Sequence, residues 1–510
     1  MISAPGPLHA LDGGPLPVER LLKALRKAFT VQANPAQAVR RQRLDTFDHL
    51  LARVGMTLEQ LTTPRRGTRL LLRRVGAPDL VTTVEGQRWP AMADALPAGA
   101  LRDAVAPIIG IRALVQQGDE RRTIRRIDLR NGDGKVVARI ALDEPVSASR
   151  SRGGAPTVSV LPLRGYDADA RKALAIGERV GLIDETTATD ADADASAPAP
   201  KPAPPHRDDP AAALLAQALQ GFSAAMADNL PGLIDDIDTE FLHDLRVAVR
   251  RSRSTLKLGR PALPDTFATR WEPAFKWIGD LTTPVRDLDV YQLDLPTMAG
   301  WLVAATPADL QPFAEHLARR RTTARRTLLR GLRGTRYRTL VAEWDHDLAA
   351  LAALAAAPTE DGPTAGALAD TAVSRSYRRV ARGGAAIDVD SPPEDLHTLR
   401  KRCKELRYAL EVFAPVLDAA KRKQAVADLK GLQDVLGRFQ DSEVQRLALR
   451  DFAAEMMADG TSPAAVLAMG ELIAHLEAEQ ARARRDFEAA FATFARPASA
   501  ERMLHLGGRP

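Results

Sequence analysis

The amino-acid sequence predicts a multidomain protein: an α+β domain built on a mainly antiparallel sheet, followed by an all-α domain of two pseudo-symmetric helical bundles. Two observations predict this division. Short segments of β-branched residues and Gly-containing turns fill the N-terminal part, whereas helical periodicity runs from residue 211 onward. A 154-residue internal repeat then divides the helical part into related halves. A length of 510 residues also suits more than one domain.

The N-terminal domain is predicted to span residues 18–185, after a Gly- and Pro-rich segment (1–17) that we expect to be disordered. Strands are predicted at 68–75, 123–129, 136–142 and 158–163, and helices at 18–31, 100–106 and 167–180. Asn131-Gly132-Asp133-Gly134 separates two of these strands and is a strong hairpin signal. Pro107 is expected to end the second helix, because proline lacks the backbone N–H that a helix interior needs.

Residues 186–210, TTATDADADASAPAPKPAPPHRDDP, form the clearest linker, because they contain no large apolar side chain that could build a core. The helical domain follows at 211–495, with halves at about 211–356 and 365–495 and a tail at 496–510. Pro273 and Pro284 predict a local break or a first helical turn. Helices are predicted at 211–228, 238–259, 268–281, 307–338, 340–356, 365–382, 393–413, 419–436, 441–459 and 463–494.

The most informative motif is a basic stretch that occurs twice, as HDLRVAVRRSRSTL at 243–256 and HTLRKRCKELRYAL at 397–410. In each copy a histidine is followed by cations at intervals of three, seven and ten. At about 100° per residue these positions lie within an arc of roughly 80° on a helix, so each copy predicts one cationic stripe. The stripes comprise His243, Arg246, Arg250 and Arg253 in the first copy, and His397, Arg400, Lys404 and Arg407 in the second.

The same register continues beyond the stripes and pairs Lys276 with Lys430 and Asp287 with Asp441. Two homologous halves facing each other would bring the stripes into one groove. Neighbouring cations repel one another there, and a polyanion would relieve that repulsion. Asp287 and Asp441 could pair with stripe arginines and hold them extended.

A third basic element lies at 319–338, RRRTTARRTLLRGLRGTRYR, with nine arginines and no acid among them. Arginines without acids in the same segment cannot be neutralised by pairs four residues apart. Arg326, Arg330 and Arg333 are therefore further candidates for anion binding. Residues 186–510 hold 42 Lys/Arg against 45 Asp/Glu, so the attraction must come from where cations are placed.

Alternative interpretations exist for each feature. A single stripe could be a solvated, salt-bridged helix face, whereas its repetition favours an anion site. Each histidine could be a core residue, a metal ligand or a phosphate ligand. A metal is disfavoured because neither stripe has HxxxH or HExxH spacing and the arginines would repel a dication. A protonated histidine donating to phosphate is favoured, and no metal and no cofactor are expected.

Arginines also cluster in the N-terminal domain, where they predict either a charged sheet face or a second anion site. Asp45, Asp48 and Glu59 give only a weak metal-site signal, since further ligands are missing. The arginine clusters comprise Arg65, Arg66, Arg69, Arg73 and Arg74, and Arg121, Arg122, Arg125, Arg126 and Arg130.

Other features concern the cellular setting. Cys403 is the only cysteine, which suits a reducing cytoplasm, and we expect it to be a small buried thiol. The N-terminus lacks the pattern of a secretory signal, and the longest apolar run, 348–357, is about half a membrane span. We therefore expect a cytoplasmic protein that does not bind membranes. Aromatic content of 5% disfavours binding to nucleic acid by base stacking.

The two histidine stretches, each followed by a D-x-[DE]-V segment (287–290 and 441–444), resemble the conserved-histidine α-helical domain, CHAD, over roughly residues 211–495. The resemblance implies a two-bundle helical fold that binds inorganic polyphosphate, often on polyphosphate granules. It assigns this role to the eight stripe residues and, less directly, to Lys276 and Lys430.

The N-terminal domain resembles a degenerate CYTH, or triphosphate tunnel, domain. The segment 44–48, LDTFD, is similar to that family's YFDTP-like strand end, and 160–166, VLPLRGY, to a stretch before its last helix. The family's E-x-E-x-K strand is absent from residues 1–45. Thr57-Leu58-Glu59-Gln60 replaces its L-R-x-R, and its late glutamate pair is missing from 157–163.

These observations favour a non-catalytic protein that binds inorganic polyphosphate in a basic groove, with no catalytic residues. One alternative is a metal-dependent inorganic triphosphatase that uses the N-terminal domain. Loss of the carboxylates that would carry the metal disfavours it. The other is a nucleic-acid-binding or regulatory adaptor protein. The absence of a recognisable DNA-reading motif from the sequence counts against it.

Overall fold

The computed structural model describes residues 8–10, 16–64, 67–74, 79–146, 156–184, 205–356 and 362–507. The chain divides into two compact units, Met1–Lys201 and Pro202–Pro510. The boundary falls inside the predicted linker 186–210, of which residues 186–204 lie outside the described residues. The predicted multidomain α+β and all-α architecture is confirmed.

The first unit is an antiparallel sheet flanked by short helices. Its strands are β1 Leu8–Ala10, β2 Thr30–Ala33, β3 Gln37–Asp45, β4 Met56–Thr63, β5 Gly67–Arg74, β6 Leu80–Val84, β7 Val115–Arg130, β8 Val136–Pro145, β9 Thr157–Pro162 and β10 Leu182–Asp184. Its helices are α1 Val18–Leu25, α2 Leu50–Arg53, α3 Ala100–Ile109 and α4 Asp167–Arg179. Within the described residues the strands follow the order β10-β1-β9-β8-β7-β3-β4-β5-β6, and β2 also pairs with β7.

Alternation along the strands places apolar side chains on the face that the helices cover. One cluster joins Leu129 and Ile140 to α1 and α4, and another joins Leu58 and Leu70 to α3. The predicted hairpin joins β7 and β8. Asn131 Oδ1 accepts the backbone N–H groups of Asp133 and Lys135, and Gly134 supplies the positive φ that the turn needs.

Several boundaries in this unit differ from the predictions. Leu8–Ala10 pairs with β10 although it lies in the segment predicted to be disordered, of which residues 1–7 and 11–15 are outside the described residues. The first helix ends at Leu25, and the β-branched residues Thr30 and Val31 continue as β2. Pro107 lies inside α3, where it removes only one hydrogen bond near the helix end.

The second unit contains ten helices of at least two turns within its described residues. They are α5 Ala211–Asp235, α6 Thr239–Gly259, α7 Asp265–Ala299, α8 Gln311–Arg333, α9 Thr335–Ala356, α10 Ala365–Ala385, α11 Pro393–Val412, α12 Ala419–Ala458, α13 Pro463–Phe494 and α14 Pro497–Leu504. The predicted tail therefore includes a helix. The two stripes lie on α6 and α11.

Long helices replace two predicted breaks. The predicted helices 419–436 and 441–459 are one helix, α12, and α7 continues through Pro273, Pro284 and Pro296. Pro284 lacks the N–H that would donate to the Asp280 carbonyl. In the same turn, the Gly279 carbonyl accepts hydrogen bonds from the Thr282 and Thr283 hydroxyls and from Arg246. Packing of α7 between α6 and α8 keeps the helix continuous around this point.

Two apolar clusters support α7 and α12, which pack against the stripe helices α6 and α11. In the first half, Trp344 of α9 packs edge-on against Trp271 and Phe275 of α7. The ends of α7 and α12 meet in a second cluster, where Tyr291 and Phe313 surround Phe452. The second cluster joins the two halves of the repeat, so the bundles form one unit.

Candidate functional site

The two stripe helices pack against each other in opposite directions. Arg251 of α6 lies 3.4 Å from Glu411 of α11, and Lys257 of α6 pairs with Glu405 of α11. From Arg251 to Lys257 on α6, the partner on α11 changes from Glu411 back to Glu405, so the two helices are antiparallel. Adding the repeat offset of 154 converts Arg251 into Glu405 and Lys257 into Glu411. The two ion pairs are therefore counterparts across a pseudo-two-fold axis.

This packing brings cations of both stripes together. The pKa of Lys404 is lowered, first because the surrounding protein displaces water from its ammonium, and then because Arg400 and Arg250 repel its charge. Lys404 still reaches solvent, as does Arg250, whose guanidinium lies 5.8 Å from the centre of the Tyr408 ring. We call the eight stripe residues of α6 and α11 the paired-stripe site.

Equivalent arginines of the two halves are held in different ways. Arg246 Nη1 donates to the Gly279 carbonyl at 3.0 Å and to the Thr282 and Thr283 hydroxyls at 2.7 and 2.9 Å. Its counterpart Arg400 forms a 2.8 Å ion pair with Asp441, as the sequence predicts. The predicted ion pair between Arg246 and Asp287 is not formed. Neutral acceptors bind the Arg246 guanidinium, and Asp287 acts on it only through its electrostatic field.

Neutral acceptors leave the charge of Arg246 available to a ligand. Burial lowers the pKa of Arg246, and Arg250 and Arg286 lower it further by repulsion, whereas Asp287 raises it. Desolvation by the surrounding protein raises the pKa of the Asp287 carboxyl, against the attraction of Arg246 and Arg286. The site thus brings several positive charges close together, with Arg246 partly buried and Arg250 exposed to solvent.

The two histidines occupy unlike surroundings. His397 Nδ1 lies 2.5 Å from Gln440 Oε1, so a hydrogen bond fixes its ring. The counterpart of Gln440 in the first half is Arg286. Desolvation, followed by repulsion from Arg286, lowers the pKa of His243 below its ordinary range, although Glu240 and Asp244 oppose the shift. His243 therefore gains its proton at lower pH than an isolated imidazole.

The remaining stripe residues and the two lysines flank this centre. Arg253 is exposed beside Gly279, and Arg407 pairs with Glu411 at 2.6 Å. Lys276 is exposed and pairs with Asp280 at 2.6 Å, while Lys430 is exposed on α12. Each of these residues lies on α6, α7, α11 or α12, the helices that carry or adjoin the stripes.

A family model for the CHAD domain matches residues 217–450. The helical unit contains a CHAD domain. The match covers both stripes and both downstream lysines, so the repeated histidine helices of this chain are those of the CHAD domain.

Comparison with curated proteins finds no match. Among solved structures, the CHAD domain of the plant Ricinus communis is 23% identical, with a TM-score of 0.47, over 56% of this chain and 92% of that one. PptA from Streptomyces chartreusis is 20% identical, with a TM-score of 0.44, over 56% of this chain and 100% of that one. HpAC1 from Hippeastrum is described as having a dominant triphosphatase activity. It is 17% identical, with a TM-score of 0.27, over 37% of this chain and 92% of that one.

Helix α8 of the CHAD domain adds cations beside the first stripe. Arg319 and Arg320 line a cleft of about 560 Å³ together with Thr323 and Asp287, and Asp287 lies in the field of Arg246. Helical spacing places Arg326, Arg330 and Arg333 on the strip that continues from Arg319 and Thr323. All three are exposed.

Other arginines of α8 are paired with acids from distant segments, whereas the segment itself contains no acid. Arg321 forms two bonds to Asp236 and one of 2.6 Å to Asp289, whose side chain is 0% exposed. Arg325 lies 3.2 Å from Asp236, and Arg320 pairs with Glu455. Spacing within one segment could not reveal these long-range pairs.

Sequence reasoning missed two residues of the site. Arg286 lies in the fields of His243, Arg246 and Asp287. Among the described residues, its guanidinium makes long contacts of 3.4 Å to Thr239 and Glu240. Its alignment with Gln440 in the repeat was the available signal. The second missed residue is Arg319, which precedes the three α8 candidates on the same helix face.

Two arginines of the sheet-unit clusters, Arg73 and Arg122, form ion pairs with acids, as does the nearby Arg41. Arg122 is 1% exposed and bonds Asp143 and Glu120, and Arg41 also bonds Asp143. Arg73 lies 3.0 Å from the buried Glu59. These contacts favour an ordinary charged sheet face over a second anion site. Arg65 and Arg66 lie outside the described residues.

The acids that gave a weak metal signal have structural partners. The Asp45 carboxylate accepts the backbone N–H groups of Thr46, Leu51 and Ala52, which caps α2. Asp48 accepts from the Thr46 hydroxyl. Across the described ranges, no group of three or more His, Cys, Asp or Glu side chains is arranged to hold a metal ion. No helix in the described part of the chain is long and apolar enough to cross a membrane.

Proposed function

We propose that the protein binds inorganic polyphosphate through the paired-stripe site and does not cleave it. The observation that carries this proposal is the convergence of Arg250 and Lys404, which belong to different copies of the repeat, into one electrostatic field. A single stripe could be an ordinary charged helix face. Two stripes that repel each other across a pseudo-two-fold axis are instead suited to an anion that spans both.

The ligand that suits this surface is a long, uniform polyanion. Arginine and lysine donate charge-assisted hydrogen bonds to phosphate oxygens, and guanidinium can do so in pairs. Cations at successive helical turns match a chain whose every unit is charged. His397, fixed by Gln440, can orient its ring toward such a chain, and the exposed strip of α8 offers a continuation beyond α6.

The contacts of the sheet unit support a non-catalytic function. Phosphoanhydride cleavage by a metal-dependent enzyme needs free carboxylates to carry the ion. Asp45 here caps a helix, and Glu59 and Asp143 are paired with arginines. The chain therefore needs no catalytic residue, metal or cofactor for the function we propose.

The partner in this proposal is polyphosphate, and neither a membrane nor nucleic acid is needed. Few aromatic side chains accompany the stripe cations, so base stacking would contribute little. We further propose a cytoplasmic protein that associates with polyphosphate granules, because a surface with several phosphate contacts would bind a dense polyphosphate phase by avidity.

A retention assay on immobilised polyphosphate tests the proposal with the full chain. Replacing Arg246, Arg250, Arg400 and Lys404 by Ala should abolish retention at physiological salt. A matched variant that removes four exposed cations outside the stripes, Lys423, Arg482, Arg485 and Arg496, should retain binding. Equal retention of both variants, with unchanged helical circular dichroism, would overturn the proposal.

Two further measurements separate it from its rivals. Incubation of the full chain with tripolyphosphate and Mg²⁺ or Mn²⁺ should release no phosphate above the level of a buffer blank. Duplex DNA at equal phosphate concentration and matched salt should fail to displace bound polyphosphate. Phosphate release would favour the triphosphatase, and displacement would favour a nucleic-acid-binding protein.

A further inference from the structure

A second pocket opens where the stripe helices meet α10. Its volume is about 390 Å³, at the lower end of the range of small-molecule sites, which is about 300–1,000 Å³. Its lining residues come from α6 and the turn after it, from α7, from α10 and from α11. The apolar residues Leu258 and Pro261 come from the first of these, and Leu368 and Ala372 from α10. We call this pocket the slot, and its α6 and α10 sides the apolar walls.

Polar groups enter this slot at defined positions. Ser254 and Tyr408, which are equivalent in the repeat, both line it, so it lies on the pseudo-two-fold axis. The Ser376 side chain is buried and also lines the pocket. Burial raises the pKa of the Tyr408 hydroxyl, so it stays a hydrogen-bond donor at neutral pH. A ligand with both a flat apolar part and hydroxyl groups would be complementary to these walls.

The charges around the slot are unbalanced. Arg260 and Glu272 form a bidentate pair and neutralise each other. Glu405 is shared by Lys257 and Arg379, which leaves one positive charge in excess. Arg375 adds another, since it is exposed and forms no ion pair within the described residues. An excess of two positive charges matches a phosphate monoester, which carries about −1.5 to −2 at pH 7.

We infer that this slot is a binding site for a small organic phosphate monoester with a flat ring, of the nucleoside monophosphate class. The ring lies between the apolar walls, against Tyr408, and the phosphate is held by Arg375 and the Lys257–Glu405–Arg379 group. The apolar walls distinguish the slot from the paired-stripe site, whose cations are open to solvent. Arg250 of the paired-stripe site packs on the Tyr408 ring, which lines the slot, so the two sites adjoin.

Isothermal titration calorimetry of the full chain with adenosine monophosphate tests this inference. Saturable binding of one molecule per chain is expected, with adenosine, ribose 5-phosphate and inorganic phosphate each at least about tenfold weaker. Arg375→Ala should weaken binding about tenfold or more, because it removes a charge-assisted bond. Arg378→Ala, an exposed arginine on the same helix that does not line the slot, should have no effect.

Thr371→Trp provides an independent variant, since Thr371 is exposed at the slot and an indole there would fill it without disturbing the core. It should abolish binding of adenosine monophosphate and leave polyphosphate retention unchanged. Absence of saturable binding to the wild type, or equal affinity for inorganic phosphate, would overturn the inference. Loss of polyphosphate retention in Thr371→Trp would also overturn it, because the slot would then be part of the polyphosphate groove.

Discussion

Arg251 and Glu411 form an ion pair across the pseudo-two-fold axis, and the symmetry-equivalent pair, Lys257 and Glu405, repeats it with the same polarity. Both cations belong to the first half of the repeat and both carboxylates to the second. The repeat therefore diverged at these positions into opposite charges. The result is an interface that joins unlike halves within one chain and disfavours two copies of the same half, which would place like charges together.

The first prediction concerns this interface. Glu405→Lys should lower the free energy of unfolding by about 1 kcal/mol or more, since it removes a carboxylate shared by Lys257 and Arg379 and adds a third cation. Urea unfolding followed by circular dichroism measures the change. Adding Lys257→Glu should restore part of the loss, and a double variant no more stable than the single one would contradict the pairing.

The second prediction concerns the ion pair that competes with the ligand. Asp441→Asn should strengthen polyphosphate binding several-fold, because Arg400 then no longer has to leave a 2.8 Å ion pair before it meets phosphate. Binding isotherms at fixed salt measure the effect. Asp451→Asn, which removes an exposed carboxylate from the same helix, is the control for net charge. Equal gains in both variants would show that only overall charge matters.

The third prediction concerns pH. Because its pKa is lowered by desolvation and by Arg286, His243 binds a proton less readily in the folded protein than in the unfolded chain. Falling pH therefore favours the unfolded state through His243, beginning near the ordinary histidine pKa of about 6.5 and continuing to the lowered folded value. His243→Gln should remove this part of the stability loss, as seen in urea midpoints measured between pH 7 and pH 5.

Arg286 contributes to the same shift, after desolvation. Arg286→Gln gives the first half the residue found at the equivalent position, Gln440, and should raise the pKa of His243. Nuclear magnetic resonance titration of the His243 ring, assigned with His243→Gln, checks the direction of the shift. If the histidines donate to phosphate, acidification will tighten polyphosphate binding at a higher pH in this variant than in the wild type. An unshifted ring titration would show that desolvation alone sets the pKa.

The fourth prediction uses salt. Because binding releases counterions, the logarithm of the binding constant should fall linearly with the logarithm of the salt concentration. Removing one phosphate contact should reduce the magnitude of this slope by roughly one. Arg250→Ala and Lys404→Ala should each do so. Arg326→Ala and Arg330→Ala test whether the exposed strip of α8 joins the groove. Unchanged slopes in these two variants would confine the polyphosphate to the paired-stripe site.

Local patterns of the sequence predicted the division into a sheet unit and a helical unit, and the repeat register predicted that the two stripes would meet. The hairpin at Asn131–Gly134 depends on local turn chemistry, so it too was predictable. Helix continuity through Pro284 was not, because tertiary packing outweighs the cost of one proline. The hydrogen-bond partners of Arg246 could not be predicted from the sequence either. They are carbonyl and hydroxyl groups of the same proline-containing turn, whose positions depend on tertiary packing.

The last prediction separates structural from ligand-binding arginines on α8. Arg321→Ala would leave the fully buried Asp289 without its cation, and Asp289 Oδ2 already has no hydrogen-bond partner among the described residues. Removing one member of a buried ion pair typically lowers the free energy of unfolding by about 3–5 kcal/mol. The unfolding temperature of Arg321→Ala should therefore fall strongly. Arg326→Ala, on the exposed face of the same helix, should leave it unchanged. Adding Asp289→Asn to Arg321→Ala should recover part of the stability, because the amide removes the unpaired buried charge. Equal unfolding temperatures for Arg321→Ala and Arg326→Ala would show that the Arg321 cluster contributes nothing to the fold.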